Sequence, residues 1–242
     1  MTESQGQQAM KTMNFDTSIQ NVIQRTHDVK SFRFQRPPGF EFVAGQWMYV
    51  NIKVEGVSKM HHFTISASPT EDYLEFTKKI TDHPYSQALD KMKSGDWAKI
   101  NGPYGEFTFS GEQQKLGFLT GGIGITPMRS MLRFIADKGL NTDVKMLYSN
   151  KTAGDIVFRE ELDTLVKEHR NSKIEHVLTR EQDWKGLKGH VDAKMIGEQI
   201  PDFAERVFYI CGPPAMNEAL KKALLELTVP DEKIKLEDFT GY

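Results

Sequence analysis

The chain has 242 residues, 38% of them hydrophobic, with 31 Lys and Arg against 33 Asp and Glu, enough to bury one large core or two modest ones. The near balance of charge argues against a general nucleic-acid binder, and no apolar run approaches the roughly 20 residues of a membrane helix. A single cysteine, Cys211, excludes an internal disulfide and a four-thiolate iron–sulfur cluster within one chain, and makes a reducing, cytoplasmic setting the default.

Met1 to Lys11 is polar and lacks the apolar stretch of a signal peptide, so residues 1–13 are expected to be a disordered leader. Short β-type runs then alternate with turn signals. Lys30–Phe34 alternates apolar and polar side chains, Trp47–Ile52 is a denser apolar run, and Phe63–Ser66 and Tyr73–Phe76 alternate again. Pro37-Pro38-Gly39, Glu55-Gly56 and Ser68-Pro69 separate them. This spacing predicts a small antiparallel barrel over residues 14–111, interrupted by one helix around Tyr85 to Lys93. Near residue 112 the pattern changes. Strands are expected at Lys115–Thr120, Asp143–Ser149, Ser172–Thr179, Val207–Cys211 and Ile234–Phe239. Helices are expected at Pro127–Lys138, Phe158–His169, Asp192–Gln199 and Pro214–Leu227. Such alternation implies a parallel sheet with helices on both faces over residues 112–242, which binds ligands at the carboxyl ends of its strands.

The segment Leu119-Thr120-Gly121-Gly122-Ile123-Gly124-Ile125-Thr126-Pro127-Met128 sits at such an end. A strand, a glycine turn and a helix start aim backbone N–H groups and a helix dipole at an anion, usually a phosphate; a glycine turn also serves simply to let strand and helix pack closely. Cys211-Gly212-Pro213-Pro214 forms a second turn at another strand end.

In this order these motifs resemble the ferredoxin–NADP reductase superfamily, over nearly the whole chain from about Asn14. The resemblance implies an N-terminal antiparallel Greek-key flavin-binding barrel followed by a C-terminal α/β nucleotide-binding domain. His61-His62-Phe63-Thr64 is similar to the family's Arg-x-Tyr-Ser pattern and its His-x-Phe-Thr variant. It implies that Phe63 lies against the flavin ring, that Thr64 bonds near flavin N5, and that His61, with His62 beside it, stands where an arginine contacts the pyrophosphate, as a weaker, pH-dependent cation. In His83-Pro84-Tyr85-Ser86 the resemblance places Tyr85 and Ser86 at the flavin phosphate. Gly102-Pro103-Tyr104-Gly105 would shape the cleft floor.

The turn of Gly121, Gly122 and Gly124 would hold the nicotinamide dinucleotide's pyrophosphate, with Thr126 and Pro127 near the nicotinamide. Cys211, followed by Gly212, Pro213 and Met216, would stand near the hydride-delivering carbon. Glu237 would help relay a proton, and Phe239 or Tyr242 would cover the flavin. The catalytic set implied is Thr64, Cys211, Glu237 and Phe239, with no metal. Ser149, Lys151, Thr179 and Arg180 end the second and third strands of the α/β half, where a ribose 2′-phosphate needs donors. They favour NADPH over NADH, while Glu181 nearby points the other way.

The expected activity is therefore a flavin-dependent NAD(P)H reductase, with FAD favoured over FMN. It would pass electrons to a separate acceptor: a ferredoxin, a flavodoxin, an oxygenase component or a small molecule. A ferric, quinone or free-flavin reductase and a non-catalytic nucleotide-binding subunit are the competing readings.

Overall fold

The structure is a computed structural model and describes residues 11–238. Strands β1 (Met13–Thr26), β2 (Val29–Gln35), β3 (Trp47–Val54), β4 (Val57–Thr64), β5 (Tyr73–Lys79) and β6 (Trp97–Tyr104) form one antiparallel sheet in the order β4-β3-β6-β1-β2-β5. Period-two burial builds it: Met48, Val50, Ile52 and Val54 of β3 point into the barrel and the residues between them are more exposed. The sheet curls until the segment after β4 meets β5, where the Ser66 amide donates to the Glu75 carbonyl at 2.7 Å. Helix α1 (Pro84–Lys91) plugs the barrel with Tyr85 and Leu89.

The second half contains β7 (Lys115–Gly121), α2 (Ile125–Asp137), β8 (Asp143–Asn150), α3 (Arg159–Glu168), β9 (Ser172–Leu178) and β10 (Leu187–Lys188). It continues through α4 (Ala193–Gln199), β11 (Val207–Gly212), α5 (Pro214–Glu226) and β12 (Ile234–Asp238). The strands form a parallel sheet in the order β10-β9-β8-β7-β11-β12. Leu116 to Gly121 of β7 are all buried, as expected of a parallel strand covered on both faces.

The four expected helices and the first four expected strands of this half occur within two residues of their expected ends, and the fifth strand starts at its expected Ile234. The barrel differs more. Its longest strand, β1, and β6 carry many polar residues and were not marked by the apolar runs. The expected strand Phe63–Ser66 overlaps the end of β4, which begins at Val57. β4 is an edge strand with Val57 to Met60 exposed, so it shows no apolar alternation there. β1 starts at Met13, one residue inside the expected leader; residues 1–10 and the end of the expected strand at Phe239 lie outside the described residues.

One apolar cluster fills the barrel. A second lies between α4, α5 and the parallel sheet. The third joins the two halves: Val29, Ala44, Phe107 and Phe109 from the barrel side pack with Leu116, Met128, Met131 and Ile135.

At the amino-end edge of the parallel sheet, away from the glycine turns, Arg206 is fully buried. It donates to the carbonyls of Leu116 (2.8 Å) and Asp143 (3.2 Å) and to the carboxylates of Asp143 (2.5 Å) and Asp202 (2.7 Å). It thereby ties the starts of β7, β8 and β11 together. Its hydrogen bonds hold the Asp202 carboxyl down at about 2 against the opposing effect of burial. Removing one partner of such a buried cluster leaves carbonyls and a carboxylate unpaired, which typically costs about 3 kcal/mol or more. Arg206→Ala is therefore expected to lower the melting temperature by roughly 6–12 °C, read by calorimetry; a change below about 2 °C would contradict this account.

Candidate dinucleotide and flavin site

The strand order reverses between β7 and β11, because β7 is followed by β8 on one side and β11 lies on the other. The two glycine turns close these neighbouring strands at their carboxyl ends. They touch directly: a Cβ on Gly124 would lie 2.1 Å from the Cys211 carbonyl oxygen. The Thr120 hydroxyl donates to that oxygen at 2.9 Å. Cβ atoms on Gly121 and Gly212 would run into Met216, at 2.5 Å from Sδ and 2.2 Å from Cε, so the thioether fills the space between the turns. Gly122 has φ 53°, the left-handed region that glycine enters without strain. The Tyr148 hydroxyl donates to the Gly122 carbonyl at 2.9 Å and accepts from the Val157 amide at 3.3 Å. Pro127 and Thr126 are buried in the first turn of α2, and the Thr126 hydroxyl donates to the Ile123 carbonyl at 3.2 Å.

In front of the turns lies a cleft of about 600 Å³, within the range of sites for small molecules and cofactors. Gly121, Gly122, Gly124, Gly212, Pro213 and Met216 line it, as do Ser149, Lys151 and Thr179. Arg180 is not among the lining residues; its amide donates to the Lys151 carbonyl at 2.9 Å. The Glu181 carboxylate turns away to accept from the Ala153 amide at 2.6 Å. The opposite wall, absent from the sequence reading, comes from the barrel: Asp28, Val29 and Lys79. Lys79 pairs with Asp28 at 2.6 Å. Burial raises the Asp28 carboxyl, but Lys79 outweighs it and the net direction is down. Asp155 and His190 complete the rim. No local motif marks these residues, because they meet only when the halves pack.

On the barrel, His61 and Phe63 share one face of β4. Phe63 stacks on Phe76 with ring centroids 4.5 Å apart, and Lys78 Nζ lies 6.0 Å from its ring. His61 meets Tyr85 edge-on at 4.3 Å and His83 at 5.6 Å. Burial, then His83, Lys78 and His62, push the His61 imidazole down from its ordinary pKa. Thr64 is buried at the end of the strand. His62 points to the other face, 5.2 Å from Trp47, and is not brought together with His61 and Phe63. Two expected phosphate ligands are engaged locally: Tyr85 donates to the Val50 carbonyl at 2.7 Å, and the fully buried Ser86 hydroxyl accepts from the Thr81 amide at 2.8 Å.

Beside the second glycine turn, Cys211 pairs in register with Glu237 of β12. Burial, then Glu237 and Asp238, raise the Cys211 thiol, so it is a neutral, polarizable group. Burial pushes the Glu237 carboxyl up to about 7, and its Oε2 is buried with no hydrogen-bond partner among the described residues. Asn217, also missed in the sequence, binds the corner together: the two N–H groups of Nδ2 are shared among the Gly212 carbonyl (3.1 Å), the Glu237 carbonyl (2.9 Å) and the Asp238 carboxylate (2.8 Å). Phe239 and Tyr242 lie outside the described residues.

Comparison with known proteins agrees with this geometry. Residues 16–109 match the oxidoreductase FAD-binding domain family and residues 118–222 the oxidoreductase NAD-binding domain family. The NADH-cytochrome b5 reductase 2 of Danio rerio is 31% identical over 244 residues, covering 86% of this chain and 79% of that protein. The chain belongs to the ferredoxin–NADP reductase superfamily. Another superfamily member, the glycine betaine monooxygenase reductase subunit of Chromohalobacter salexigens, is 32% identical over 213 residues, or 84% of this chain. This chain spans only 58% of that relative's length. The FAD/NAD-binding domain of the Vibrio cholerae nitric oxide dioxygenase shares the superfamily fold at a TM-score of 0.84 and 22% identity, covering 93% of this chain and 98% of that one. Among the described residues no helix is long and apolar enough to cross a membrane.

The residues present suit both cofactors of the superfamily. Gly122, with φ 53° and no atom within 4 Å of where a Cβ would stand, leaves backbone open to a pyrophosphate, and the basic cluster of His61, His83 and Lys78 suits a second anion. Glu237 offers a direct check of the corner. A carboxyl whose pKa is raised on folding stabilises the fold fully below about 4.5 and loses that contribution as pH rises through about 7. Stability measured in denaturant is expected to fall between these pH values, and Glu237→Gln is expected to flatten that slope; an unchanged slope would place the Glu237 carboxyl in water.

Proposed function

We propose that the chain is a flavin-dependent NAD(P)H reductase that feeds electrons to a separate acceptor in the cytoplasm. The observation that carries this reading is the cleft, which takes one wall from the glycine turns at the strand-order reversal and the other from the barrel. Residues 14–111 serve as the flavin-binding domain and 112–242 as the nucleotide-binding domain. When bound, flavin supplies two-electron uptake from a nicotinamide and one-electron release.

The chain's own residues bind and orient. The N–H groups around Gly122 and Gly124 hold the dinucleotide pyrophosphate at the start of α2. Thr126 and Cys211 shape the nicotinamide pocket, and Cys211 acts there by position and polarizability. Phe63 and Thr64 hold the flavin ring, while His61, Lys78 and His83 neutralise its phosphates, which favours FAD, with its pyrophosphate, over FMN. Glu237, near neutral pH, holds or releases a proton behind Cys211. Phe239 or Tyr242 covers the ring. Glycine betaine monooxygenase reductase subunits among the relatives support an oxygenase component as acceptor. Lys151 and Thr179 in the cleft wall, with Arg180 next in the chain and a Glu181 carboxylate already occupied by the Ala153 amide, support NADPH over NADH.

Three measurements test this. In anaerobic titrations the flavin-loaded chain is expected to bleach with NADPH faster than with NADH, and Arg180→Ala is expected to raise KM for NADPH about tenfold with little change for NADH. Equal effects on both nucleotides would remove the preference, and flavin that neither reduces would remove the activity. Because an anion favours the charged imidazole that the unloaded site disfavours, FAD is expected to bind more weakly as pH rises from 5.5 to 8.5. His61→Arg is expected to flatten that dependence. A pH-independent dissociation constant in the wild type would exclude His61 from the phosphate site.

A further inference from the structure

The two halves of the cleft are joined by one side of α2. Its first turn carries Thr126, and one turn later, on the same side, Arg129 and Ser130 reach the barrel. Arg129 is 2% exposed. Its Nη1 donates to the Ser66 carbonyl at 3.0 Å, two residues beyond Thr64. Nη1 and Nη2 together form a bidentate pair with Glu71, the Nη2 bond measuring 2.8 Å. Nε donates to Glu161 of α3 at 2.7 Å. Ser130, fully buried, donates to the Ala67 carbonyl at 2.7 Å.

The barrel segment that receives these bonds is itself braced by hydrogen bonds. Glu71 accepts from the Ser68 amide at 2.6 Å and from the Tyr73 hydroxyl. Arg36 holds the carbonyls of Pro69 and Glu71 at 2.7 and 3.0 Å. A planar fork has five donors in fixed directions, so Arg129 fixes α2 in both position and rotation. A lysine would fix a distance only.

Resting on the reductase reading, we propose that Arg129 is a positioning residue for hydride transfer: it sets the spacing between the flavin-side Thr64 and the nicotinamide-side Thr126 by clamping α2 to the segment that follows β4. Transfer of this kind requires reacting atoms about 3–3.5 Å apart, and a 1 Å displacement by a group far from the chemistry can cost about 10²-fold. None of the clamp residues lines the cleft, so loosening it removes no direct contact to the nucleotide.

The test uses two readouts. In the cofactor-free full chain, nitroxides are placed at Lys59→Cys and Lys194→Cys, both exposed positions on opposite halves, while Cys211 is buried and unlabelled. Pulsed dipolar spectroscopy is expected to give a narrow distance distribution that Arg129→Lys broadens. In the flavin-loaded chain, stopped-flow reduction by Arg129→Lys is expected to be roughly 10–100-fold slower at an unchanged half-saturating nucleotide concentration. Thr70→Val, which removes the 2.5 Å bond to Asp137 at the far end of α2, is expected to match the wild type in both. Should Arg129→Lys not fold, Glu71→Gln carries the same measurements. Wild-type distances or wild-type reduction in the clamp variant, or equal slowing by Thr70→Val, overturns the proposal. If the wild type itself reduces no flavin, the reductase reading falls, and the distance measurement still decides whether Arg129 holds the halves.

Discussion

The cleft depends on a contact that only a glycine permits. The Cα of Gly124 packs against the Cys211 carbonyl so closely that a Cβ would lie 2.1 Å from the oxygen. That approach brings the turn after β7 and the turn after β11 into one surface, at the point where strand order reverses. Without it the turns would separate, Thr120 would lose its bond to the same carbonyl, and α2 would start farther from the sheet. The dipole of α2, the neutral thiol and the buried carboxyl of Glu237 converge because two backbones touch.

Two kinds of buried charge occur in this chain. Arg206, Arg129 and Glu75 are each almost wholly buried and fully engaged. Glu75 receives Arg25 at 3.0 Å and Arg33 at 2.7 Å. Paired in this way, buried ions hold geometry and do not drive chemistry: Arg206 gathers strand starts, Glu75 joins barrel strands, and Arg129 joins halves. Glu237 differs in kind. Its Oε2 has no described partner and burial alone lifts its pKa to about 7. A group whose protonation is left undecided by its surroundings is suited to exchange a proton, which separates Glu237 from the structural carboxylates.

What could be read from the chain follows the range of the forces involved. The α/β half was legible because apolar periodicity and glycine–proline punctuation are local, and Gly121, Gly122, Gly124, Ser149, Lys151, Thr179, Gly212, Pro213 and Met216 indeed line one cleft. β1 was not, because Met13, Phe15 and Ile19 alternate with polar residues only as far as a register shift between Ile19 and Asn21, and its pairing with β6 spans most of the barrel sequence. Asp28 and Lys79 were invisible for the same reason: they enter the cleft by packing between halves. His62 illustrates a different limit. A motif places it beside His61, but strand geometry sends adjacent side chains to opposite faces, and His62 lies against Trp47. Arg129 sits in a helix whose apolar spacing is explained without it; its value lies in carbonyls and carboxylates some sixty residues earlier in sequence.

The site is also divided by charge. Every charged neighbour that shifts His61 is basic, whereas the groups that shift Cys211 beyond burial are the acids Glu237 and Asp238. One end of the assembly is thus basic, and the other keeps its thiol protonated and holds a carboxyl whose pKa lies at about 7. Between them runs α2, with the glycine turn at its start and the Arg129 clamp one turn in. An electrostatic division of this kind depends on separation, since each interaction weakens with distance. The burial of Arg129 keeps its bonds from exchanging with solvent, which holds α2 in place against the segment after β4.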